Sequence, residues 1–504
     1  MRTCGILLHI SSLPNKYGIG TLGKDAYDFV DFLHKANQSL WQVLPIGPTS
    51  YGDSPYQTFS AFAGNPYFID FDLLKEDGLL EELDYELLER VSETEVDFGF
   101  QYNNRFKPLR IAYSRFDKEN KDYKRFKRTN KWWLEDYALF MTLKYQNNGA
   151  SWWTWEDSLK LRKKTVISKV KKEFKEEIEF WSFLQYEFFK QWNNLKQYAN
   201  ANGVKIVGDI PIYVAHDSSD VWANPTDWLM DENLNPTQVA GCPPDAFTEL
   251  GQLWGNPIYN YPKMEEEGFP WWVKRVEESL KLYDIIRIDH FRGFESYYSI
   301  EYGAENAKNG VWVKGPGIKL FNAIKEKIGE VNIIAEDLGF ITEDVYELLR
   351  NTGFPGMKVI QFGFDHKGDS EYLPHNYVKN SVVYPGTHDN QTILSWFREL
   401  KDADKWFVRN YLDIKDDYFI CDKVIRSGLS SVADTVIVQM QDYLGLTDDA
   451  RMNTPSKLGG NWSWRVKKEQ INDSLAGYLG FLSTTYRRDG KDYSIIEEVE
   501  ETEE

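Results

Sequence analysis

The stretch DIIRID, residues 284–289, is a short apolar run that ends in charged side chains. Similar runs recur along the 504-residue chain, and helical patterns follow several of them. With the first stretch included, the runs cover residues 5–10, 41–46, 204–210, 284–289, 332–337, 358–362, 382–387 and 436–440. Because each run is continuous rather than alternating, it is typical of a parallel strand buried on both faces. Such strands with helices between them predict an α/β fold, a (β/α)8 TIM barrel.

Two long stretches interrupt the alternation of predicted strands and helices. Residues 73–175 are charged and helical in pattern, and they predict an inserted, largely helical subdomain. Residues 217–270 are rich in Pro, Gly and Trp with little periodicity, and long irregular segments inside a compact domain are usually functional. We therefore expect residues 1–504 to form a single catalytic barrel with both insertions, the second of which carries a loop that covers the cleft.

The composition excludes some classes of function. The formal net charge of −19 argues against a nucleic-acid partner, because binding to phosphates requires a basic surface. An acidic surface is compatible with a neutral ligand such as a sugar. The three cysteines form neither a disulfide framework nor a metal motif. Since no segment resembles a secretion signal or a membrane span, we expect a cytoplasmic protein without a membrane partner.

Charged side chains lie where several predicted strands end. In a barrel of this type, the carboxyl ends of the strands form the active-site face. The residues at these ends are Asp209 on the third strand, Arg287 and Asp289 on the fourth, Glu336 and Asp337 on the fifth, and His388 and Asp389 on the seventh. One such Asp often caps the following helix, but capping alone hardly explains carboxylates on all these strands. The sequence therefore predicts a cluster of carboxylates on one rim.

Cleavage of a glycosidic bond explains such a cluster better than metal binding does. The sequence has no HxH motif and no regular spacing of oxygen ligands, so we expect neither a metal nor another cofactor. Retaining glycoside cleavage needs a nucleophilic carboxylate and a protonated carboxylic acid about 5 Å away. Neighbouring carboxylates and partial burial would keep one of the carboxyl groups protonated near neutral pH.

Longer motifs run along nearly the whole chain. They are LLHISSLP near the start, YGDSPYQTFSAFAGNPYFID at 51–70, GDIPIYVAHDSSDVW at 208–222, GCPPDAFTELGQLWGNPIY at 241–259, RIDHFRGF, IIAEDLG and GTHDN at the predicted strand ends, MNTP at 452–455 and GNWSWR at 460–465. Together they resemble the motifs of the amylomaltases, the 4-α-glucanotransferases of the α-amylase group. The resemblance implies an enzyme that moves segments of α-1,4-glucans and maltooligosaccharides to the 4-hydroxyl of an acceptor glucan or of glucose.

The resemblance also implies a role for each of three carboxylates. Asp289 is the nucleophile of a retaining double displacement, in which it forms a covalent glycosyl-enzyme. Glu336 is the general acid that protonates the leaving oxygen and then the base that activates the acceptor. Asp389 holds sugar hydroxyls in the transition state. Arg287 lies two residues before Asp289 and so on the same face of the strand, where we expect it to keep the nucleophile ionised.

Further residues are expected to bind the sugar chain. By the resemblance, His388 and Asp209 bind sugar hydroxyls, Tyr56 and Tyr51 offer stacking faces, Gln252 and Trp254 contact the acceptor, and Asp245 and Asn461 make other substrate contacts. The segment 241–251 is expected to fold over the cleft. Trp462 and Trp464 are compatible with packing, and we expect His216 in a surface loop.

Two alternatives share the predicted fold. A hydrolase of the α-amylase type would have the same three carboxylates but would need no acceptor. However, such enzymes place an Asn-His pair after the third strand, where this chain has Tyr213 and Val214. Amylomaltases also lack the Asn-His pair, so its absence favours this group. A non-catalytic glucan-binding protein would usually have lost at least one carboxylate.

Transfer instead of hydrolysis requires that an acceptor sugar react in place of water. Water at about 55 M outcompetes a sugar unless the site is shielded, and residues 217–270 provide material for a shield.

Overall fold

The computed structural model describes residues 2–50, 52–89, 91–244, 248–457, 459–491 and 493. Its strands are β1 Thr3–Leu7, β2 Leu40–Gln42, β3 Lys205–Pro211, β4 Gln238–Cys242, β5 Gln252–Pro257, β6 Ile285–Asp289, β7 Ser296–Glu301, β8 Val311–Lys314, β9 Ile333–Ala335, β10 Gly356–Val359, β11 Ser381–Tyr384 and β12 Thr435–Gln439. Its α-helices are α1 Lys24–Lys35, α2 Phe71–Glu76, α3 Phe98–Asn104, α4 Phe106–Arg115, α5 Lys121–Thr129, α6 Lys131–Gln146, α7 Asp157–Lys160, α8 Lys164–Glu173, α9 Lys175–Ala201, α10 Ser219–Ala223, α11 Tyr261–Glu266, α12 Pro270–Leu282, α13 Ile318–Ile328, α14 Glu343–Thr352, α15 Ile393–Glu399, α16 Asp402–Tyr411, α17 Ile420–Ser430, α18 Met440–Tyr443 and α19 Asp473–Thr485.

Parallel strands close into a barrel, as the sequence predicted. Their order around the barrel is β1-β12-β11-β10-β9-β6-β3-β2, and β1 pairs with both β12 and β2. Each of the apolar runs in the sequence contributes one of these strands. The predicted (β/α)8 barrel is therefore confirmed.

The strands are buried on both faces, which explains their continuous apolar sequences. The inside of the barrel holds a layer of side chains that are at most 3% exposed, namely Leu7, Leu40, Val207, Ile334, Met357, Val382, Tyr384 and Ile437. The outer faces pack under helices. Trp41 of β2, for example, meets Phe29 of α1 edge-on, with the ring centroids 5.1 Å apart. Burial on both sides removes the need for polar residues along the strands.

Six of the barrel strands end before the corresponding sequence runs do, namely β1, β2, β9, β10, β11 and β12. β9 ends at Ala335 and β11 at Tyr384, so Glu336 and Asp389 lie in loops that leave the barrel. The residue after β11 is Pro385, which has no N–H group with which to continue the ladder. The side chains of these loops can therefore turn towards the open end of the barrel.

Helices fill the long stretch between β2 and β3. Helix α9 packs against β3 and α1, and α4, α5, α6 and α8 pack on α9. Phe180, Phe188 and Trp192 of α9 are fully buried in this packing. Residues 73–175 thus contribute helices that stack on the outside of α9. No helix in the described ranges has the length and apolar character needed to cross a membrane.

An antiparallel sheet of order β5-β4-β7-β8 lies outside the barrel. β4 and β5 fall within residues 217–270 and have only five and six residues, which explains why the sequence there shows little periodicity. Gly241 lies inside β4 and is paired with Leu253 on one side and Tyr298 on the other. Residues 245–247 of the segment 241–251 lie outside the described residues, so the expectation that this segment covers the cleft stays a prediction.

Candidate active site

The register of three neighbouring strands brings the first candidate residues together. Asp209 of β3 lies opposite Arg287 of β6, and Ile288 of β6 lies opposite Ala335 of β9. Asp289 is the last residue of β6, and Glu336 is the first residue after β9. The two carboxyl groups therefore leave adjacent strands at the same end of the barrel.

Arg287 joins two carboxylates at the base of the cluster. Its Nη1 donates to Asp209 Oδ1 at 2.8 Å, to Asp209 Oδ2 at 2.6 Å and to Asp289 Oδ1 at 3.2 Å. Arg287 is 3% exposed, while the side chain of Asp289 keeps 30% exposure. Because buried charges need partners, the guanidinium and the carboxylates stabilise one another in their ionised forms.

A chain of hydrogen bonds links Asp209 to the loop after β11. Tyr56 Oη donates to Asp209 Oδ2 at 2.9 Å and lies 2.9 Å from His388 Nε2. Since the single phenolic hydrogen goes to the carboxylate, His388 carries its proton on Nε2 and donates it to Tyr56 Oη. Burial lowers the pKa of His388, in agreement with a neutral ring. The two rings lie nearly parallel, with centroids 5.2 Å apart.

Asp209 lies behind the surface of the cleft. It has no exposed surface, and both of its oxygens accept hydrogen bonds from Arg287 or Tyr56. His388 is also buried, at 2% exposure. The geometry therefore makes Asp209 a residue that positions Arg287 and Tyr56, and the expectation that it binds sugar hydroxyls stays a prediction.

Glu336 is held by backbone N–H groups of two loops. Its Oε2 accepts the N–H of His290 at 2.5 Å, and its Oε1 accepts the N–H of Leu338 at 3.2 Å. His290 has a left-handed backbone, with φ 56°, directly after Asp289. This conformation costs an L-residue roughly 1–2 kcal/mol. The residue with this unfavourable backbone conformation is thus the one whose N–H donates the short hydrogen bond to Glu336.

The two carboxyl groups have different electrostatic surroundings. Burial raises the pKa of Glu336 to about 7, against the opposing effect of Arg287 and of the backbone N–H groups. Burial also raises the pKa of Asp289, and the neighbouring carboxylates add to this. However, Arg287 bonds Asp289 directly, and the cleft leaves its side chain 30% exposed. The bond to Arg287 and the exposure favour the charged form of Asp289, while burial favours the protonated form of Glu336, near neutral pH.

Asp389 faces the cleft from the loop after β11. Its side chain is 41% exposed, and its Oδ1 lies 3.4 Å from His388 Nε2. The same oxygen accepts Asn453 Nδ2 at 2.6 Å, while Arg451 Nη2 donates to the Asp389 carbonyl oxygen at 2.5 Å. The MNTP motif contains Asn453, for which the sequence predicted no role. A polar side chain in a long loop leaves no periodic signal from which its partner could be predicted.

Gln252 and Trp254 lie together on β5, and both are partly exposed. Trp254 Nε1 donates to Gln252 Oε1 at 3.1 Å, and the Trp254 ring meets the His290 ring edge-on with centroids 4.8 Å apart. Because His290 follows Asp289 directly, this pair lies beside the end of β6. The two side chains are therefore close enough to the carboxyl cluster to contact a bound glucan chain.

Three other predicted substrate contacts are not placed in the cleft by the structure. Asn461 Oδ1 accepts the N–H of Thr454 at 3.0 Å, and its Nδ2 donates to the Lys457 carbonyl oxygen at 2.9 Å. Asn461 therefore closes its own loop, and its contact with substrate stays a prediction. Tyr51 and Asp245 lie outside the described residues.

Two aromatic contacts bury side chains near the site. His216 is 9% exposed and stacks on Trp153 with ring centroids 4.0 Å apart, so the expectation of a surface loop is wrong for this side chain. Trp462 is 6% exposed and lies 5.8 Å from the Tyr56 ring and 6.0 Å from the His388 ring. It packs against the pair that links Asp209 to the Asp389 loop.

The described residues contain one group spaced closely enough to hold a metal ion, formed by Asp365, His366 and Asp404. His366 Nδ1 already lies 2.6 Å from Asp404 Oδ1. None of these residues belongs to the carboxyl cluster. The absence of a metal from the reaction stays a prediction.

Comparisons with known proteins agree with one another. The family model described as 4-alpha-glucanotransferase matches residues 8–471. A 4-alpha-glucanotransferase of Clostridium butyricum is 54% identical over 485 residues, which cover 95% of this chain and 100% of that protein. Its counterpart in Streptococcus pneumoniae is 50% identical over 492 residues, or 97% of each chain. Among solved structures, an amylomaltase from Streptococcus agalactiae in complex with acarbose matches with a TM-score of 0.95 at 41% identity, covering 97% of this chain and 100% of that one.

Proposed function

This chain belongs to the 4-alpha-glucanotransferase family, and we propose that it transfers α-1,4-glucan segments to the 4-hydroxyl of an acceptor by a retaining double displacement. The observation that carries the mechanism is the difference between two adjacent carboxyl groups. Asp289 bonds the Arg287 guanidinium, whereas Glu336 is buried against backbone N–H groups. Retaining enzymes need this pairing of an ionised nucleophile with a protonated acid.

In the first step, a carboxylate oxygen of Asp289 attacks the anomeric carbon of the donor. The bond between that carbon and O4 of the leaving chain breaks, and O4 takes the proton of Glu336. Oε1 is the oxygen that supplies the proton, because Oε2 already accepts the shorter bond, at 2.5 Å, from His290. The step ends with a glycosyl ester on Asp289, an ionised Glu336 and a released glucan chain.

In the second step, the 4-hydroxyl of the acceptor gives its proton to Glu336 Oε1 and attacks the anomeric carbon. The ester bond breaks, and Asp289 leaves as a carboxylate beside the Arg287 guanidinium at 3.2 Å. Two inversions at one carbon retain the α configuration. Both catalytic groups return to their starting protonation states.

Asp389 is proposed to bind hydroxyls of the sugar whose ring gains positive charge in the transition state. Asn453 occupies Oδ1 of Asp389, which leaves Oδ2 to accept a sugar hydroxyl. Tyr56 is proposed to offer a stacking face to a sugar ring. Gln252 and Trp254 are proposed to contact the acceptor, with glucose as the shortest acceptor.

The substrates of the proposed reaction are maltooligosaccharides and longer α-1,4-glucans. The acarbose complex of the Streptococcus agalactiae relative supports a cleft for α-linked sugars. We also propose a cytoplasmic location and no nucleic-acid partner. The net charge of −19 and the low cysteine content, three in 504 residues, support these two proposals.

A time course of products from maltotriose, resolved by chain length, tests the proposal. Wild type should form both glucose and oligomers longer than the substrate, and Asp289→Ala should lose at least about 10⁴-fold in rate. Asp404→Ala, which removes a carboxylate on α16, is the matched control and should keep wild-type activity. If maltotriose yielded glucose and maltose without longer products, the hydrolytic alternative would replace the proposal.

A second donor separates the roles of the two carboxyl groups. An α-glucosyl fluoride leaves without protonation, so Glu336→Gln should form the glycosyl-enzyme from this donor far better than from maltotriose. Asp289→Ala should fail with both donors. Equal losses of Glu336→Gln with the two donors would contradict the role of Glu336 as the acid.

A further inference from the structure

We propose that the segment 448–453 acts as a brace that positions Asp389, and that Asn453 is its decisive residue. We call this segment the brace; the side chains that it contributes are those of Asp448, Arg451 and Asn453. The inference rests on the role proposed above for Asp389, and it assigns the brace to the positioning of that carboxylate and not to contact with substrate.

Asn453 bonds the Asp389 side chain through its own side chain, and the neighbouring residue His388 through its backbone. Its Nδ2 donates to Asp389 Oδ1 at 2.6 Å, and its backbone N–H donates to the carbonyl oxygen of His388 at 3.1 Å. The amide is a neutral donor that stabilises the carboxylate without adding a charge to the cleft. Because it occupies Oδ1, it also determines which oxygen of Asp389 is left for the sugar.

Arg451 holds the backbone on both sides of this contact. Its Nη2 donates to the Asp389 carbonyl oxygen at 2.5 Å, and its Nε donates to the Asn453 carbonyl oxygen at 2.8 Å. Its Nη1 lies 3.6 Å from Asp448 Oδ2. One guanidinium thus joins the loop after β11, which carries Asp389, to Asn453 and to Asp448.

Asp448 forms hydrogen bonds with the far end of the loop after β11. Its Oδ1 accepts the N–H of Thr392 at 2.9 Å, and its Oδ2 accepts Gln391 Nε2 at 3.0 Å. Its own N–H donates to Ser395 Oγ in α15 at 2.9 Å. The brace therefore contacts the loop at His388, at Asp389 and again at residues 391–392.

The loop needs such support because no strand holds it. β11 ends at Tyr384, and the side chain of Asp389 is 41% exposed. A displacement of about 1 Å in a catalytic group can cost about 100-fold in rate. Asn461 adds to the support, since it bonds the N–H of Thr454, the residue after Asn453, at 3.0 Å.

Steady-state kinetics of Asn453→Ala with maltotriose test the proposal. The kcat should fall by about 100-fold, while KM should stay within about threefold, because the bond acts on a group that works in the transition state. Asn472→Ala is the matched control, since the Asn472 side chain caps α19 by accepting the N–H of Leu475 at 3.0 Å. The control should lose thermal stability to a similar degree and keep its kcat.

The pH dependence of Asn453→Asp separates positioning from a general structural role. The introduced carboxyl can donate a hydrogen bond to Asp389 only when it is protonated, because two adjacent carboxylates repel each other. The activity of Asn453→Asp relative to wild type should therefore rise as the pH falls from 8 to 5.5. A structural role alone would give a relative activity that is the same throughout this range.

Asp389→Ala distinguishes failure of the brace from failure of the proposed function. If Asp389→Ala keeps wild-type activity, the role of Asp389 is wrong and the brace has nothing to position. If Asp389→Ala is inactive while Asn453→Ala keeps the wild-type kcat, the brace alone is refuted. A loss in Asn453→Ala that appears in KM and not in kcat would equally refute positioning.

Discussion

Replacement of Arg287 by methionine should destabilise the protein in a pH-dependent way. Methionine is apolar and similar in length, so the change removes the charge with little change in volume. The guanidinium contacts Asp209 at 2.6 Å and Asp289 at 3.2 Å. At an effective dielectric of about 20, the gross Coulomb energy is roughly 6 kcal/mol for the first pair and roughly 5 kcal/mol for the second. The measured loss should be smaller, about 3–5 kcal/mol at pH 8, because the cost of burying the guanidinium disappears as well.

The loss should shrink as the pH falls. Without Arg287, burial and mutual repulsion raise the pKa values of the two carboxyl groups in the folded variant above their values in the unfolded chain. The folded variant then binds more protons than the unfolded chain, so its stability rises as the pH decreases through the raised pKa values. Each proton taken up recovers about 1.4 kcal/mol per pH unit in that range.

Urea unfolding at pH 5, 6, 7 and 8 measures this effect, with Arg287→Lys as the control. Lysine keeps the charge, so Arg287→Lys should show a smaller and nearly pH-independent loss of stability. Transfer by Arg287→Met should also fall, because Asp289 loses the cation that favours its ionised form. A loss of stability below about 1 kcal/mol, or one that is the same at every pH, would refute the assignment of Arg287 as the counter-ion of both carboxylates.

The remaining predictions concern the reaction itself. The kcat/KM for maltotriose should fall on the alkaline side with a midpoint near pH 7, because burial raises the pKa of Glu336 to about 7 and the acid must be protonated. A pH profile checks this, and Glu336→Gln should lack that limb. Trp254→Ala should raise KM for the acceptor glucose by about three- to tenfold at a fixed donor concentration, through loss of an aromatic contact. Prolonged chelation should leave the rate of transfer unchanged, since the proposed mechanism uses all three carboxylates on the substrate.

The barrel could be predicted because its signal is local. Each strand is buried on both faces, so a short apolar run marks it, and the barrel topology then places all strand ends on one rim. Asp289 and Glu336 could be proposed for this reason. The strands β4 and β5 left no such signal, since they are short and belong to a sheet outside the barrel.

Contacts between distant parts of the chain could not be predicted from the sequence. Tyr56 bonds Asp209 across 153 positions, and Asn453 bonds Asp389 across 64. No periodicity connects such positions, and the type of residue alone does not name the partner. The burial of His216 against Trp153 is a contact of the same kind, which explains why a surface loop was expected there.

The carboxyl groups of the site are supported by different chemistry because they need different charges. A guanidinium bonded to Glu336 would favour its ionised form and remove the proton that the leaving oxygen requires. Backbone N–H groups hold Glu336 in place with a weaker effect on its charge, and burial then raises its pKa to about 7. Asp289 must stay ionised and therefore bonds Arg287 directly, at 3.2 Å. Asp389 lies at the exposed edge of the cleft, where water already stabilises its charge, so a neutral amide at 2.6 Å suffices to fix its direction.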